Sequence, residues 1–188
     1  MNAKVRVMKN NQLLNLQQGD VIFTDYGVSG DAIFKISPYL TEYAEGKNIS
    51  LSIDLLPEID EEKLEKIIRN KYRSGAWEYN ELLCGVLNNQ VGRAVMKRVG
   101  SLDEVAKTIK NFTLKATGTL GFDYAQVTKG GIPLKETTDE LESKKARGLY
   151  FAGEILDVDG ECGGYNLQWA YSSACVVAQA IKSCKNIK

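Results

Sequence analysis

One uninterrupted stretch constrains this chain more than any other: Gly148-Leu-Tyr-Phe-Ala-Gly-Glu-Ile-Leu-Asp-Val-Asp-Gly-Glu-Cys-Gly-Gly-Tyr-Asn-Leu-Gln-Trp-Ala-Tyr-Ser-Ser. It reads as a short apolar strand, Leu149–Ala152, then an acidic glycine-punctuated turn, then a long helix opened by Gly163-Gly164. Strand–turn–helix is half of a nucleotide-binding unit, and ligands gather at the carboxyl ends of such strands. The helix N-terminus leaves the N–H groups of Tyr165, Asn166 and Leu167 without intrahelical acceptors, suited to a flat anionic ligand. Gly153 allows close approach of a ligand to the backbone. Glu154 offers a carboxylate to sugar-like hydroxyls.

The other half of such a unit is not in these 188 residues, because no G-x-G-x-x-G occurs. Lysine plus arginine (24) balances aspartate plus glutamate (24), which gives no reason to expect nucleic acid or an anionic membrane as partner. No apolar run reaches the roughly 20 residues of a membrane span, and no signal-peptide core follows Met1, so a cytoplasmic protein is expected. The chain has no histidine and its four cysteines form no C-x-x-C pair. That excludes Ser-His and Cys-His nucleophile systems within it and argues against structural zinc. Cys162 precedes a helix N-terminus, where a thiolate is favoured, although a small residue in a turn needs no such role. The order Asp157-Val-Asp159-Gly-Glu161 lacks the ligand spacing of an EF-hand calcium loop.

Along the chain, short apolar runs at Lys4–Met8, Leu13–Leu16 and Asp20–Thr24, separated by Lys9–Gln12 and Gln17–Gly19, predict a hairpin or meander. Ser29 or Gly30 caps a short helix through Ala32–Ile36 that stops before Pro38. Ile49, Leu51, Ile53 and Leu55 alternate with polar residues, the pattern of a half-buried strand. Helical signals then take over. They predict a helix from Asp60 to Gly75, others over Trp77–Leu87 and Val91–Val99, and one opened by a Ser101–Glu104 capping box. Strands are predicted again at Phe112–Thr117, Ala125–Thr128 and Ile132–Lys135. The final helix, Tyr165 to about Cys184, places Leu167, Ala170, Ala174, Val177 and Ile181 on one face. The fold class is therefore α+β.

The closing stretch is similar to the C-terminal motif of a bacterial family of NAD(P)/FAD-dependent oxidoreductases that includes aminoacetone-oxidase-like flavoproteins. Gly19-Asp-Val-Ile-Phe-Thr-Asp-Tyr-Gly-Val-Ser-Gly30, Thr117–Gly131 and Glu142-Ser-Lys144 also resemble segments of that family, in the same order. Asp31 stands where the family usually has proline, and Cys162 where it often has threonine.

The resemblance implies that residues 1–125 are an insert domain, with a β-barrel-like lobe (1–56 and 111–125) and a helical lobe (57–110). Residues 126–188 would be the returning segment of a discontinuous α/β FAD-binding domain. It further implies that FAD is held in the complete protein by Gly153 and Glu154 on the ribityl-phosphate side. Gly163, Gly164, Tyr165, Asn166 and Leu167 would hold the ring, and the turn containing Thr128, Gly130 and Gly131 would come near the ring and the substrate space. Lys129 is either a surface lysine or the partner of an anionic group there. Trp77 and Trp169 are read as packing residues, and no acid–base catalyst is assigned.

The expected role is the C-terminal part of a FAD-dependent oxidoreductase, with NAD(P)H a candidate electron donor. Lacking the N-terminal dinucleotide-binding half, its partner, the chain alone is expected to bind FAD weakly or not at all. The alternative is a non-enzymatic partner-binding module with a vestigial flavin motif. An RNA-binding barrel is disfavoured by the charge balance. The strand at Leu149–Ala152, left without neighbours, would invite self-association.

Overall fold

The computed structural model describes residues 1–43 and 49–185. It divides into two compact units, Met1–Thr119 and Leu120–Lys188. The final residues of the second, 186–188, lie outside the described part.

The first unit is built on a hairpin of β1 (Asn2–Lys9) and β2 (Gln12–Asp20). Asn10 and Asn11 close it with φ of 48° and 66°. Paired left-handed residues match the right-handed twist of the strands, and asparagine tolerates that backbone. β2 runs straight through Gln17–Gly19, where the sequence suggested a break. Ala3, Lys4 and Val5 pair with Gly19, Gln18 and Gln17, and the ladder overrides the local turn preference. β3 (Ile22–Thr24) and β4 (Gly27–Ser29) form a separate small hairpin.

Gly30 follows at φ 105°, with the site of a missing Cβ only 2.4 Å from the Asp20 carbonyl oxygen, so only glycine fits. Its carbonyl accepts from the amides of Ile33 and Phe34 and starts α1 (Asp31–Tyr43). This helix does not stop before Pro38. Proline cannot donate to the Phe34 carbonyl one turn back, but the Ser37 hydroxyl donates to it at 2.8 Å.

β5 (Ile49–Asp54) pairs with β1 and with β6 (Phe112–Lys115), both antiparallel, giving the sheet order β2-β1-β5-β6. The sheet is open, with β2 and β6 at its edges, in place of the expected barrel-like lobe. β5 was expected to be half-buried, yet Ser52 and Asp54 are covered as well as Ile49, Leu51 and Ile53. Helical chain packs near it, with the Leu55 amide donating to the Ile109 carbonyl.

The helical part contains α2 (Glu61–Arg73), α3 (Asn89–Met96) and α4 (Asp103–Lys110). Asp60 caps α2 by accepting from the Lys63 amide at 2.7 Å. The helix expected over Trp77–Leu87 reduces to a 3-10 turn at Tyr79–Glu81, because Gly85 turns left-handed and Asn88 caps a new helix there. The expected capping box forms differently: Leu102 occupies the cap, and the Glu104 carboxylate accepts from the Gly100 amide at 2.8 Å. The sheet and helices share one apolar cluster, with Val5, Val7, Ile53, Leu64, Ile68, Leu83, Val105 and Ile109 buried in it.

The second unit has little regular structure before its last helix, α5 (Tyr165–Lys185). The strands expected at Ala125–Thr128, Ile132–Lys135 and Leu149–Ala152 do not form. Ile132 makes one parallel bridge to Leu156, and Tyr150 one antiparallel bridge to Glu142. Leu149 is 47% exposed. A ladder needs neighbours, and the described chain brings up none beyond single bridges. No helix among the described residues is long and apolar enough to cross a membrane.

A buried ion pair joins the sheet to α4. The Lys110 ammonium lies 2.7 Å from the Asp54 carboxylate and donates to the Leu56 and Ile59 carbonyls, each at 2.8 Å. Removing one partner leaves a buried charge uncompensated, which costs far more than the pair itself contributes. Lys110→Met is expected to destabilise the chain by about 3–5 kcal/mol in urea unfolding. Asp54→Asn combined with Lys110→Met should recover part of that loss.

Candidate functional site

The residues singled out at the acidic turn lie within the second unit, around the first half of α5. The helix forms because Tyr165 to Lys185 contains neither proline nor glycine, and Gly164 opens it by accepting from the Gln168 amide at 3.0 Å. Gly153 begins a 3-10 turn, Gly153–Ile155, seated on the helix side. Its amide donates to the Ser173 hydroxyl at 2.9 Å, and its carbonyl accepts from the Trp169 indole at 3.2 Å. Gly153 has φ 75°, and a Cβ there would come within 3.7 Å of Ala170. The small residues on this face let the turn approach the helix closely.

A second turn docks on the first. The Thr128 amide donates to the Glu154 carboxylate. The Ile132 amide donates to the Ile155 carbonyl at 2.8 Å, and the Asp157 amide to the Ile132 carbonyl at 2.9 Å. Gly131 sits between them at φ 141°, where a Cβ would lie 2.5 Å from the Ile155 carbonyl oxygen. The Thr128–Gly131 turn and the 153–156 segment are thus tied together by backbone and one carboxylate.

The loop before α5 is folded back on the helix start. Asn166 accepts from the Gly160 amide at 2.7 Å and donates to the Gly160 carbonyl at 3.0 Å. The residue expected to act through its N–H therefore also works as a side-chain clamp. Gly130 and Gly164 have left-handed backbones, with φ of 95° and 94°, and no neighbour within 4 Å of where a Cβ would stand. These are open cradles that a side chain would fill. Beside the Gly164 cradle, the amides of Tyr165, Asn166 and Leu167 have no acceptor within the helix. Open glycine surfaces and donor amides fit a flat, anionic ring system.

The structure brings Thr128, Gly131, Gly153 and Glu154 into one connected hydrogen-bonded and packed set, and gathers Gly163, Gly164, Tyr165, Asn166 and Leu167 at the helix start. Tyr165 and Leu167 project into solvent, Leu167 being 79% exposed. Cys162 is an exposed free thiol. The sequence reading assigned no role to Ser173. It is 1% exposed and anchors the whole turn. The available signal was a hydroxyl one helical turn beyond Trp169 on the face of small residues. An open depression of about 430 Å³ lies along the later part of α5, between Val176, Gln179, Ala180, Ser183 and Tyr150, away from the helix start.

Acidic groups crowd the turn. Burial, reinforced by the Asp157 carboxylate, holds the Asp159 carboxyl above its ordinary range; Lys129 opposes this and Glu154 adds to it. Among the described residues no group of three or more potential ligands is placed to hold a metal ion.

Residues 40–180 match the family model described as the HI0933-like protein Rossmann domain. The chain belongs to the HI0933-like Rossmann-domain family. This is a flavin-type oxidoreductase family. The chain is 31% identical over 194 aligned positions to a 3-dehydro-bile acid delta(4,6)-reductase of Clostridium scindens, covering 95% of this chain and 47% of the relative. It is 33% identical over 181 positions to the ribosomal RNA dihydrouridine synthase of Escherichia coli, covering 89% and 43%. The Haemophilus influenzae ribosomal RNA dihydrouridine synthase is 34% identical over 174 positions, covering 86% and 42%. The chain spans less than half the length of these curated relatives.

Two outcomes are expected. Ser173→Ala leaves the buried Gly153 amide without an acceptor and should cost about 1–3 kcal/mol of stability, read by urea unfolding. For Asp159 the folded state holds the proton more tightly than the unfolded state. Its contribution is present below the ordinary carboxylate range and is lost as pH rises through the raised value. Asp159→Asn should therefore shift the urea midpoint upward relative to wild type more at pH 7 than at pH 3. The shift should be small, because the side chain is largely exposed.

Proposed function

We propose that this chain forms the flavin-ring side of the cofactor site of a FAD-dependent oxidoreductase. The observation that carries this reading is the open left-handed backbone at Gly164, next to the first amides of α5, which have no acceptor within the helix. When bound, the flavin supplies the two-electron chemistry, and the protein supplies binding and orientation. Gly163, Gly164, Tyr165, Asn166 and Leu167 would present the helix start to the ring. The positive end of the helix favours negative charge there by about 0.3–1 kcal/mol, worth roughly 6–20 mV for a two-electron couple. Gly153 and Glu154 would lie at the ribityl-phosphate side, with Thr128, Gly130 and Gly131 closing the ring side.

The relatives' names suggest the reaction class. One is a delta(4,6)-reductase of a 3-dehydro-bile acid, and two are dihydrouridine synthases of ribosomal RNA. These substrates differ widely, but adding two hydrogens across a ring carbon–carbon double bond is common chemistry for both. We infer that the protein carries out a reduction of this class, with a reduced nicotinamide as candidate source of the electrons.

The dinucleotide-binding half would cover α5. Ser173 is the one α5 residue buried among those whose side chains are described, while Leu167 and Tyr171 are exposed at 79% and 69%. An apolar helix face left this open calls for a partner surface. The same surface, in place of the expected strand edge, would drive self-association at high concentration.

The test is flavin retention. Purified chain is incubated with excess FAD, freed of unbound cofactor, and its visible absorbance recorded, alone and after co-expression with a polypeptide carrying a G-x-G-x-x-G Rossmann half from a relative. Little flavin should remain with the chain alone, and stoichiometric flavin with the pair. A pair that forms a complex yet holds no flavin would sink the reading and favour a partner-binding module.

A further inference from the structure

We propose that Glu154 is a positioning residue: its carboxylate clasps the Thr128–Gly131 turn to the 153–156 segment and so sets where that turn stands beside the ring. The proposal rests on the flavin reading of the same site and adds a division of labour within it. A glutamate after a glycine at the end of such a motif would ordinarily be assigned to ligand hydroxyls alone. Here its Oε1 accepts the Thr128 amide, from a residue far away in sequence, with no ligand needed.

The clasp has a clear mechanical setting. On its far side the Ile132 amide donates to the Ile155 carbonyl. Gly131 permits that approach, since any Cβ would meet the Ile155 carbonyl oxygen. Gly130, next to it, faces open space. The turn is held at Thr128 and at Ile132, with its open glycine between them. Of these two contacts, the one at Thr128 is made to a side chain. Losing Glu154 removes the Thr128 contact while leaving the Ile132 contact in place. The segment carrying Glu154 is itself anchored, because Gly153 is bonded to Ser173 and Trp169 on α5. A carboxylate is well suited to this task, since a charged acceptor takes a backbone N–H more strongly than a neutral one.

The experiment is residue-resolved amide hydrogen exchange on the full chain without cofactor, comparing wild type, Glu154→Gln and Glu154→Ala. Glu154 is exposed, so neither variant should unfold the chain, and circular dichroism checks this. In Glu154→Ala the Thr128 amide should exchange about tenfold faster, whereas the glutamine variant, which keeps an acceptor of the same reach, should stay within about threefold of wild type. The Ile132 and Gly153 amides serve as internal references and should barely change. An alanine variant that exchanges like wild type at Thr128 overturns the proposal. So does equal acceleration of all three amides, which would mean general loosening, and so does a glutamine variant as fast as alanine. A second readout uses the flavin-loaded pair: the alanine variant should shift the visible flavin spectrum and the glutamine variant restore it. If wild type holds no flavin in the pair, the flavin reading fails while the exchange result still decides the clasp.

Discussion

The hydroxyl of Ser173 is the point on which the second unit depends. It accepts the Gly153 amide and donates to the Trp169 and Ala170 carbonyls, so one buried oxygen joins the acidic turn to the long helix. Apolar burial holds little of this region, because most of α5 is exposed. With so little hydrophobic driving force, a few directional bonds decide the conformation. The Trp169 indole on the Gly153 carbonyl completes the seat. Everything that follows in the site, from Glu154 to Thr128 and from Ile155 to Gly131, is positioned through that seat.

The first unit is organised in the opposite way. Its strands and helices bury one apolar cluster, and its polar contacts are placed inside that frame. Asp54 and Lys110 show the consequence. β5 carries a charge on the face that α4 approaches, so the charge has to be answered, and Lys110 answers it while also satisfying two carbonyls. The two units are thus stabilised by different means, one by a shared apolar cluster and the other by a few directional hydrogen bonds.

Several elements were legible in the sequence because their signals are local. Asp60 before Glu61-Glu62 marks a capped helix start, and the apolar spacing of α4 and the glycine pair before Tyr165 mark their helices. Other readings failed where distant chain segments decide. Gln17–Gly19 looks like a turn but is held in β2 by the register with β1. Pro38, by contrast, looks like a helix stop but is tolerated for a local reason, because the adjacent Ser37 hydroxyl takes the orphaned Phe34 carbonyl. Leu149–Ala152 looks like a buried strand but has no ladder to join.

The candidate site divides along the same line. The sequence singles out Gly153, Glu154, Gly163 and Gly164 because glycines permit left-handed turns and close backbone approach at a helix start. That the chain mixes helices with a small sheet and contains no histidine was likewise determined by residue order. Only the tertiary structure decided that Glu154 faces Thr128, that Ser173 anchors Gly153, and that Asn166 clamps Gly160. Hydrogen bonds between residues six to twenty-six positions apart depend on how turns dock, and docking is set by close backbone approach, which no local pattern records.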